Sequence, residues 1–283
     1  GTGLYLSPGE SAAFLLDFQP AHVPPKTATV VIECNDYNDN TRSFTVTNYA
    51  DGSKPEIHVY RENSTELTNN RSFSMGSAPI GVSIMEFFTI QNTGTENLLL
   101  NGWPIMTTTG DITANTMGTD AILTPGERTT FVLTFTPSVP GRNTATVMIP
   151  SNDPDYTPFT LNPYTTGLAP DIEIQQAGSP FDEGSYYYFD EQLVNGPERT
   201  VTFEIHNTGT YDLNIDSIET NDPLNFSIVQ PAVTSLPVNE TTTFTISSIP
   251  TASGEIAGQV TINTNDYDQP EFTINLRSKG VVH

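Results

Sequence analysis

Leu-Thr-Pro-Gly-Glu at residues 123–127 begins the stretch that decides the fold, which continues with Phe-Val-Leu-Thr-Phe-Thr-Pro at 131–137 and ends with Ser-Asn-Asp-Pro-Asp at 151–155. The stretch occurs three times, 117 residues apart between the first two copies and 113 between the last two. Two landmarks keep these offsets, namely Glu10, Glu127 and Glu240 in the turn and Asn35, Asn152 and Asn265 in the hairpin. A constant offset at two landmarks indicates internal repeats.

Short runs of β-branched and aromatic residues, separated by turn residues, fill each repeat. Phe131, Leu133 and Phe135 alternate with Thr and Val, as in a half-buried strand. Asn-Thr-Gly-Thr at 92–95 and 207–210 separates two such runs, and we expect its glycine to supply a positive φ and its asparagine to cap the backbone. The pattern predicts an all-β chain of tandem immunoglobulin-like β-sandwich repeats, with about seven strands each.

The repeat boundaries divide the chain into three segments. Residues 1–50 hold the C-terminal half of a repeat, that is, its last three strands, of which the first is at 14–18. Residues 55–168 and 169–283 are predicted to be complete repeats. A half-domain cannot close its own core, so we expect its open edge to be filled by further chain or by a neighbouring subunit.

The composition excludes several classes of function. With 33 acidic against 10 basic residues and a net charge of −23, the chain lacks the cationic surface that nucleic acids require. No apolar run approaches the roughly 18 residues of a spanning helix, so no membrane span is expected in this segment. The four histidines are scattered, the single cysteine, Cys34, has Ser151 and Thr264 as its counterparts, and no catalytic motif is present. We therefore expect no enzymatic activity.

Several motifs carry a family resemblance. They are Pro-[Asp/Glu]-Ile at 55–57 and 170–172, Phe-x-Ile-x-Asn-Thr-Gly-Thr at 88–95 and 203–210, and the stretch that ends at 151–155. Together they resemble bacterial choice-of-anchor D repeats, which are similar to immunoglobulin-like domains of the ASPM–SPD-2–Hydin (ASH) type. The third repeat departs from this pattern where Asn239 replaces the turn glycine. The resemblance implies a non-enzymatic structural or adhesive module of cell-surface or secreted proteins.

The acidic hairpins are the place where a metal site is worth considering. They concentrate carboxylates and amides, and Ca²⁺ prefers six to eight oxygen ligands. Asn-Asp-Pro is also a turn former that bonds its own backbone, and no distant glutamate completes a cage, so the turn interpretation competes with calcium. The candidate Ca²⁺ ligands are Asp36, Asp39, Asp153, Asp155, Asp266 and Asp268. No other cofactor is expected.

An aromatic run and four sequons complete the candidate surface features. Aromatic side chains can anchor an interface, although alternation should turn half of this run towards the core. The interaction candidates are Tyr186, Tyr187, Tyr188 and Phe189. Asn-x-Ser/Thr sequons, which accept glycans where the cell has the machinery, occur at Asn63, Asn70, Asn225 and Asn239.

Three functions fit these observations. The first is an extracellular structural repeat of a surface stalk or filament, whose partners are adjacent repeats or copies of itself. The second is an adhesin that binds a surface protein or a glycan through the Tyr-rich, acidic third repeat. The third is an intracellular ciliary or cytoskeletal scaffold of the ASH type. The first places the protein outside the cell or at its surface.

Overall fold

The regular structure of the chain consists of β-strands. A computed structural model describes residues 4–18, 26–35, 43–50, 52–100, 106–107 and 111–282. Within these residues every regular element is a strand. This confirms the prediction of an all-β, immunoglobulin-like chain.

The N-terminal segment and the second repeat contain fourteen of the strands in the described ranges. The N-terminal pair is β1 (Lys26–Glu33) and β2 (Ser43–Ala50). The second repeat has β3 (Ile57–Arg61), β4 (Glu66–Leu67), β5 (Arg71–Pro79), β6 (Ile84–Asn92), β7 (Leu98–Leu99), β8 (Met106–Thr107), β9 (Ile112–Asn115), β10 (Ile122–Leu123), β11 (Arg128–Phe135), β12 (Gly141–Thr144), β13 (Val147–Ile149) and β14 (Phe159–Leu168). In the second repeat one sheet has the order β4-β3-β6-β11-β9, a second has β12-β14-β13-β8 with β5 beside β14, and β7 and β10 form a short two-stranded sheet.

The third repeat is a sandwich of two five-stranded sheets. Its strands are β15 (Ile172–Gln176), β16 (Ser179–Pro180), β17 (Tyr186–Leu193), β18 (Arg199–Asn207), β19 (Leu213–Thr220), β20 (Phe226–Val229), β21 (Ser235–Leu236), β22 (Thr241–Ser248), β23 (Gly254–Thr264) and β24 (Glu271–Val281). The sheet orders are β16-β15-β18-β22-β20 and β17-β24-β23-β19-β21. β17 pairs with β24 in parallel. Two of the ten strands have only two residues each. The number of longer strands, eight, is close to the predicted number of about seven.

The chain folds into two compact units. The first comprises residues 1–73, 85–134 and 145–163, and the second comprises 74–84, 135–144 and 164–283. Three short segments of the second repeat, 74–84, 135–144 and 164–168, thus belong to the second unit.

Each complete repeat has an apolar core with an aromatic stack at its centre. In the second repeat the rings of Phe88 and Phe131 lie 5.4 Å apart, and in the third the equivalent pair, Phe203 and Phe244, lies 5.5 Å apart. All four side chains are fully buried. The core positions are the alternate residues of the strands, as the sequence pattern predicts.

The turn before β11 and β22 keeps one geometry in all three copies. Gly126 has φ of 86° and Gly9 has φ of 90°, while Asn239, the residue that replaces the glycine, has φ of 68°. In each copy the glutamate N–H donates to the carbonyl three residues earlier, at 2.9 to 3.0 Å. Asparagine tolerates the left-handed region better than other residues with a side chain, so the departure in the third repeat leaves the turn unchanged.

The segment predicted to be the first N-terminal strand differs from expectation. Residues 11–18 form no strand, and among the described residues of this segment only β1 and β2 pair, in antiparallel register. The equivalent strand β22 pairs with β18 and β20, and both of these belong to the first half of its repeat. Residues 11–18 therefore lack the neighbours that would make them a strand.

The two complete repeats have different residues at two positions of the core. Phe135 in the second repeat is replaced by Ser248 in the third, and Ala78 is replaced by Gln192; all four side chains are buried. The Gln192 Nε2 donates to the hydroxyls of Ser248 and Ser278, both at 3.1 Å. The Gln192 Oε1 is buried without a hydrogen-bond partner. The amide of Gln192 thus contacts the residue that stands where the second repeat has a phenyl ring, and its Oε1 is left as an unsatisfied acceptor.

Candidate functional site

The acidic hairpins hold the start of each complete repeat. Asp153 is fully buried, and its Oδ2 accepts a hydrogen bond from the N–H of Ile57, the first residue of β3, at 2.8 Å. Asp266 accepts from the N–H of Ile172, the first residue of β15, at 2.7 Å. In each repeat the carboxylate of the last hairpin therefore joins the last strand pair to the first strand. We call this contact the carboxylate latch.

The second oxygen of each latch carboxylate is also occupied by the backbone. Asp153 Oδ1 accepts from the N–H of Asp155 at 2.8 Å, and Asp266 Oδ1 accepts from the N–H groups of Asp268 at 3.1 Å and Gln269 at 3.2 Å. Burial raises the pKa of Asp266, and the backbone hydrogen bonds oppose this rise. The two buried carboxylates thus act as acceptors for main-chain N–H groups, which is the turn chemistry that competes with calcium.

The outer aspartates lie at the surface of the hairpins. Asp155 forms an ion pair with Lys54 at 2.5 Å, and this hydrogen bond raises the pKa of Lys54. Asp268 is exposed. Across the described ranges, no group of three or more His, Cys, Asp or Glu side chains is arranged to hold a metal ion. Asp36 and Asp39 lie outside the described residues.

The aromatic run of β17 divides between the two faces of its strand. Tyr186 and Tyr188 are 46% and 70% exposed, and their ring centroids lie 6.0 Å apart. Arg277, on the adjacent strand β24, has its Cζ 5.2 Å from the centre of the Tyr186 ring. We call Tyr186, Tyr188 and Arg277 the tyrosine platform; the sequence pattern did not identify its arginine, because β17 and β24 are about 90 residues apart.

The other two aromatic residues of the run belong to the core. Phe189 is buried, and Tyr187 packs against the core with its ring 5.8 Å from that of Phe203. Burial, followed by the nearby charge of Asp190, raises the pKa of Tyr187. Of the four interaction candidates, the structure therefore brings only Tyr186 and Tyr188 to the surface.

Three of the four sequon asparagines are exposed. They are Asn63, Asn70 and Asn239. Asn225 is half-buried, and its Nδ2, the atom to which a glycan would be attached, donates to Asp222 at 2.7 Å. Its Oδ1 accepts from the N–H of Thr251 at 2.9 Å. Asn225 is thus the least accessible of the four.

The Asn-Thr-Gly-Thr turn has a role that the sequence did not reveal. Neither Gly94 nor Gly209 has a positive φ, so the predicted reason for glycine at this position is wrong. A Cβ on Gly94 would lie 2.3 Å from the carbonyl oxygen of Lys54, and one on Gly209 would lie 2.4 Å from the nitrogen of Asp171. Glycine is required because the turn lies directly against the segment that precedes the first strand.

The asparagine of the same turn does cap the backbone, as predicted. Asn92 Oδ1 accepts from the N–H of Gly94 at 3.0 Å, and its Nδ2 donates to the carbonyl of Leu123 at 2.9 Å. Asn207 makes the equivalent bonds to Gly209 and Leu236 at 3.0 and 2.9 Å. Each turn thus contacts both the segment that precedes the first strand and the leucine before the Thr-Pro-Gly-Glu or Pro-Val-Asn-Glu turn.

The comparison with protein families supports the predicted resemblance. Residues 191–279 match the family model described as HYDIN/CFA65/VesB-like, Ig-like domain. This confirms a resemblance to ASH-type immunoglobulin-like repeats in the third repeat, while the likeness to choice-of-anchor D repeats stays a prediction. No curated protein matches the chain.

The chain is similar to several solved structures at low sequence identity and low TM-score. A protein of unknown function from Porphyromonas gingivalis W83 is 14% identical, with a TM-score of 0.33, over 80% of this chain and 99% of that one. The ASH/PapD-like domain 7 of human CEP192 is 12% identical, with a TM-score of 0.29, over 41% of this chain and 88% of that one. The VesB protease of Vibrio cholerae is 11% identical, with a TM-score of 0.29, over 46% of this chain and 40% of that one.

The described part of the chain offers no helix that is long and apolar enough to cross a membrane.

Proposed function

We propose that this segment is a non-enzymatic structural module of an extracellular stalk or filament, and that its complete repeats carry tension along the chain. The observation that carries the proposal is the parallel pairing of β17 with β24, from Tyr186 beside Asn275 to Leu193 beside Val281, with one register shift between Tyr188 and Glu191. Hydrogen bonds at the two ends extend this pairing, from Gly184 N–H to the Thr273 carbonyl at 2.9 Å and from Val194 N–H to the Val281 carbonyl at 3.0 Å.

Parallel pairing determines how a pulling force would act on the third repeat. β17 is reached from the N-terminal side of the repeat, and β24 leads to its C-terminal side. A force applied at both ends pulls these strands in opposite directions along their common axis. All the hydrogen bonds between them are then loaded together, whereas an antiparallel hairpin pulled from its open end would break one bond at a time. The carboxylate latch of Asp266 adds a further connection, because Ile172 stands where the force enters the repeat.

The second repeat shows the same order of contacts. Asn70 N–H donates to the Thr160 carbonyl at 2.8 Å, and Ile80 N–H donates to the Leu168 carbonyl at 3.0 Å. The contacts advance in the same direction along both strands, which is the order of a parallel pair. Repetition of one load-bearing arrangement in consecutive repeats is what a stalk requires.

The charge is compatible with this proposal. A net charge of −23 keeps neighbouring molecules apart and favours solubility at the cell surface. Labelling intact cells that make the protein with an antibody against residues 169–283 tests the location. Labelling only after the cells are made permeable would contradict a surface stalk and favour an intracellular scaffold.

Single-molecule force spectroscopy of the whole chain, held by its two ends, tests the mechanical function. Asn275→Ala removes the bond from Asn275 Nδ2 to the Gly184 carbonyl, at 2.6 Å between β24 and the start of β17. It also removes a longer bond, at 3.3 Å, from Gln259 Nε2 on β23 to Asn275 Oδ1. Asn263→Ala, the matched control, removes the 2.9 Å bond from Asn263 Nδ2 to Ser217, which joins β23 to β19. Each substitution should lower the equilibrium stability by about 1 kcal/mol.

The two variants should differ under force. We expect Asn275→Ala to lower the unfolding force of the third repeat and Asn263→Ala to leave it near the wild-type value. Equal unfolding forces in the two variants would contradict a load-bearing strand pair.

The tyrosine platform favours a second candidate function, adhesion to a glycan. Two exposed tyrosine rings beside a guanidinium can stack on sugar rings and donate hydrogen bonds to their hydroxyls. Tyr186→Ala and Tyr188→Ala should abolish binding on a glycan array, and Tyr267→Ala, which removes an exposed tyrosine elsewhere in the third repeat, should not. Absence of glycan binding by the wild-type chain would contradict adhesion to a glycan.

A further inference from the structure

The N-terminal segment exposes apolar side chains at positions that are buried in the other two copies of the repeat. Leu6 is 52% exposed, whereas its counterparts Leu123 and Leu236 are 1% exposed. The same contrast holds for Phe14, Phe131 and Phe244, at 62%, 1% and 1%, and for Ile32, Ile149 and Ile262, at 36%, 0% and 0%. We call residues 4–18, 26–35 and 43–50 the open half-repeat.

The backbone of the open half-repeat also lacks strand partners that the complete repeats have. In the complete repeats, the strand that follows the turn has a partner on each side, since β11 lies between β6 and β9 and β22 lies between β18 and β20. All four partners come from the first half of the repeat. The equivalent residues, 11–18, form no strand. The side chains and the backbone therefore lack the same neighbours.

The part of the surface that would meet those neighbours is already formed. The turn at residues 7–10 is closed by the bond from Glu10 N–H to the Ser7 carbonyl at 2.9 Å, and its Gly9 has the φ of the equivalent Gly126. β1 and β2 pair in the register of β23 and β24: Val30 lies beside Val46 as Val260 lies beside Ile274. The turn and the strand pair of this segment thus already have the geometry of the second half of a complete repeat.

The complete repeats show what covers the equivalent surface in each of them. Phe131 and Phe244, the counterparts of Phe14, stack on Phe88 and Phe203. Each of these partners opens the motif Phe-x-Ile-x-Asn-Thr-Gly, whose asparagine carbonyl accepts from the turn, from Gly126 N–H at 2.8 Å and from Asn239 N–H at 2.9 Å. A segment with this motif would cover Phe14 and engage the turn at Gly9 in the same way.

We propose that the open half-repeat is a docking surface for the first half of an immunoglobulin-like repeat, a segment whose strands carry the Phe-x-Ile-x-Asn-Thr-Gly motif. The occupant is this half-repeat and not a second copy of the open half-repeat. On docking, residues 11–18 become a strand between the counterparts of β18 and β20, and Leu6, Phe14 and Ile32 become buried. The driving force is burial of these apolar side chains together with completion of the backbone pairing.

The test supplies the missing half covalently. Residues 169–233, the first half of the third repeat, are joined in front of Leu4 of the otherwise unchanged chain, so that the spacing from motif to turn matches the third repeat. Hydrogen exchange of the whole chain is then followed by mass spectrometry. We expect amides of residues 11–18 to exchange at least about 100-fold more slowly than in the chain without the extension. Peptides from 241–248 give the reference for a complete repeat.

The matched control extension carries Phe203→Asp and Ile205→Asp in the added segment only. These substitutions place carboxylates on the face that should meet Phe14, and we expect residues 11–18 to exchange as fast as without an extension. A second extension, made of residues 52–120 of the second repeat, keeps the spacing of that repeat and is used if the first extension fails to fold. Unprotected residues 11–18 with both extensions would overturn the proposal.

The alternative occupant, a second copy of the chain, is tested by sedimentation of the 283-residue protein. We expect a monomer. A dimer that Phe14→Asp converts to a monomer would show that the copies cover one another, and it would overturn the proposal in favour of self-association.

Discussion

At the scale of single residues, the glycine of the Asn-Thr-Gly-Thr turn and the buried aspartate of the acidic hairpin fix where each complete repeat begins. Gly94 allows the turn to touch the backbone at Lys54, and Asp153 holds the N–H of Ile57. The third repeat repeats both contacts with Gly209 and Asp266. In each contact the group at the start of the repeat is a main-chain atom, so the contact does not depend on the side chain of Lys54 or Ile57.

Gly94→Ala should destabilise the second repeat by about 2–3 kcal/mol, because its Cβ would lie 2.3 Å from a backbone oxygen that cannot move aside without shifting the first strand. Gly126→Asn is the control in the same repeat, since Asn239 already adopts the required φ in the third. The stability of the second repeat in both variants is measured by urea unfolding, with hydrogen exchange of residues 57–61 as the probe. A loss in Gly94→Ala no larger than in Gly126→Asn would contradict the close-contact explanation.

Asp266→Asn should destabilise the third repeat by about 1–3 kcal/mol near neutral pH, because an amide cannot accept from Ile172, Asp268 and Gln269 with both of its polar atoms. Asp216→Asn, at an exposed position of β19, should change stability little. The free energy of unfolding from urea titrations gives both values. Equal effects of the two substitutions would show that the latch contributes nothing.

The same substitution carries a pH dependence. The pKa of Asp266 is raised in the folded state, so the folded chain binds this proton more tightly than the unfolded chain does. The stability of the wild type relative to Asp266→Asn should therefore increase as the pH falls through the raised pKa towards the ordinary value of 3.8. A relative stability that falls over this range would contradict the raised pKa.

At the scale of strands, the third repeat differs from the second in two buried core residues, one on β17 and one on β22. Phe135 and Ala78 of the second repeat become Ser248 and Gln192, so that a large and a small side chain are replaced by a small and a larger one. The remaining cost is the unpartnered Oε1 of Gln192.

A double-mutant cycle tests this exchange. Ser248→Phe alone should overpack the core and cost about 1–3 kcal/mol, and Gln192→Ala alone should leave a cavity and lose two hydrogen bonds. The double variant restores the residue pair of the second repeat and should be at least as stable as the wild type, which gives a large favourable coupling. Urea unfolding measures the four corners of the cycle. Additive effects would show that the two positions do not compensate one another.

At the scale of the whole molecule, charge is distributed unevenly along the chain. Residues 169–283 contain 17 acidic and 3 basic residues, whereas residues 55–168 contain 10 and 4. Self-repulsion of like charges opposes the compact state, and salt screens it over a distance of about 10 Å at 0.1 M. The third repeat is therefore the part of the molecule that should respond most to ionic strength.

Raising NaCl from about 0.02 M to about 0.5 M should raise the thermal midpoint of the third repeat more than that of the second, because the Debye length shortens and more repulsion is removed. Hydrogen exchange at increasing temperature, read from peptides of β11 and β22, separates the two repeats in one sample. A larger shift for β11 would indicate that the acidic residues of the third repeat are locally compensated.

The sequence alone was enough to predict the repeat, the immunoglobulin-like sandwich, the division of the aromatic run between core and surface, and the turn chemistry around Asn92. These features follow from the spacing and alternation of residues, which can be read from the sequence without knowledge of tertiary contacts. Asn239 shows that even a departure from the pattern left its turn intact, because asparagine adopts the backbone conformation that the glycine provides.

Only the tertiary structure decided what each candidate residue contacts. It gave Asp153 a partner 96 residues away, placed Arg277 beside Tyr186, and showed that the glycine at position 94 is required by a close approach and not by its φ. It also showed that residues 14–18, a strand by pattern, form none without the two strands that flank their counterparts. Alternation specifies which face of a strand is apolar, but hydrogen-bond partners come from distant parts of the chain, and only the folded arrangement specifies them.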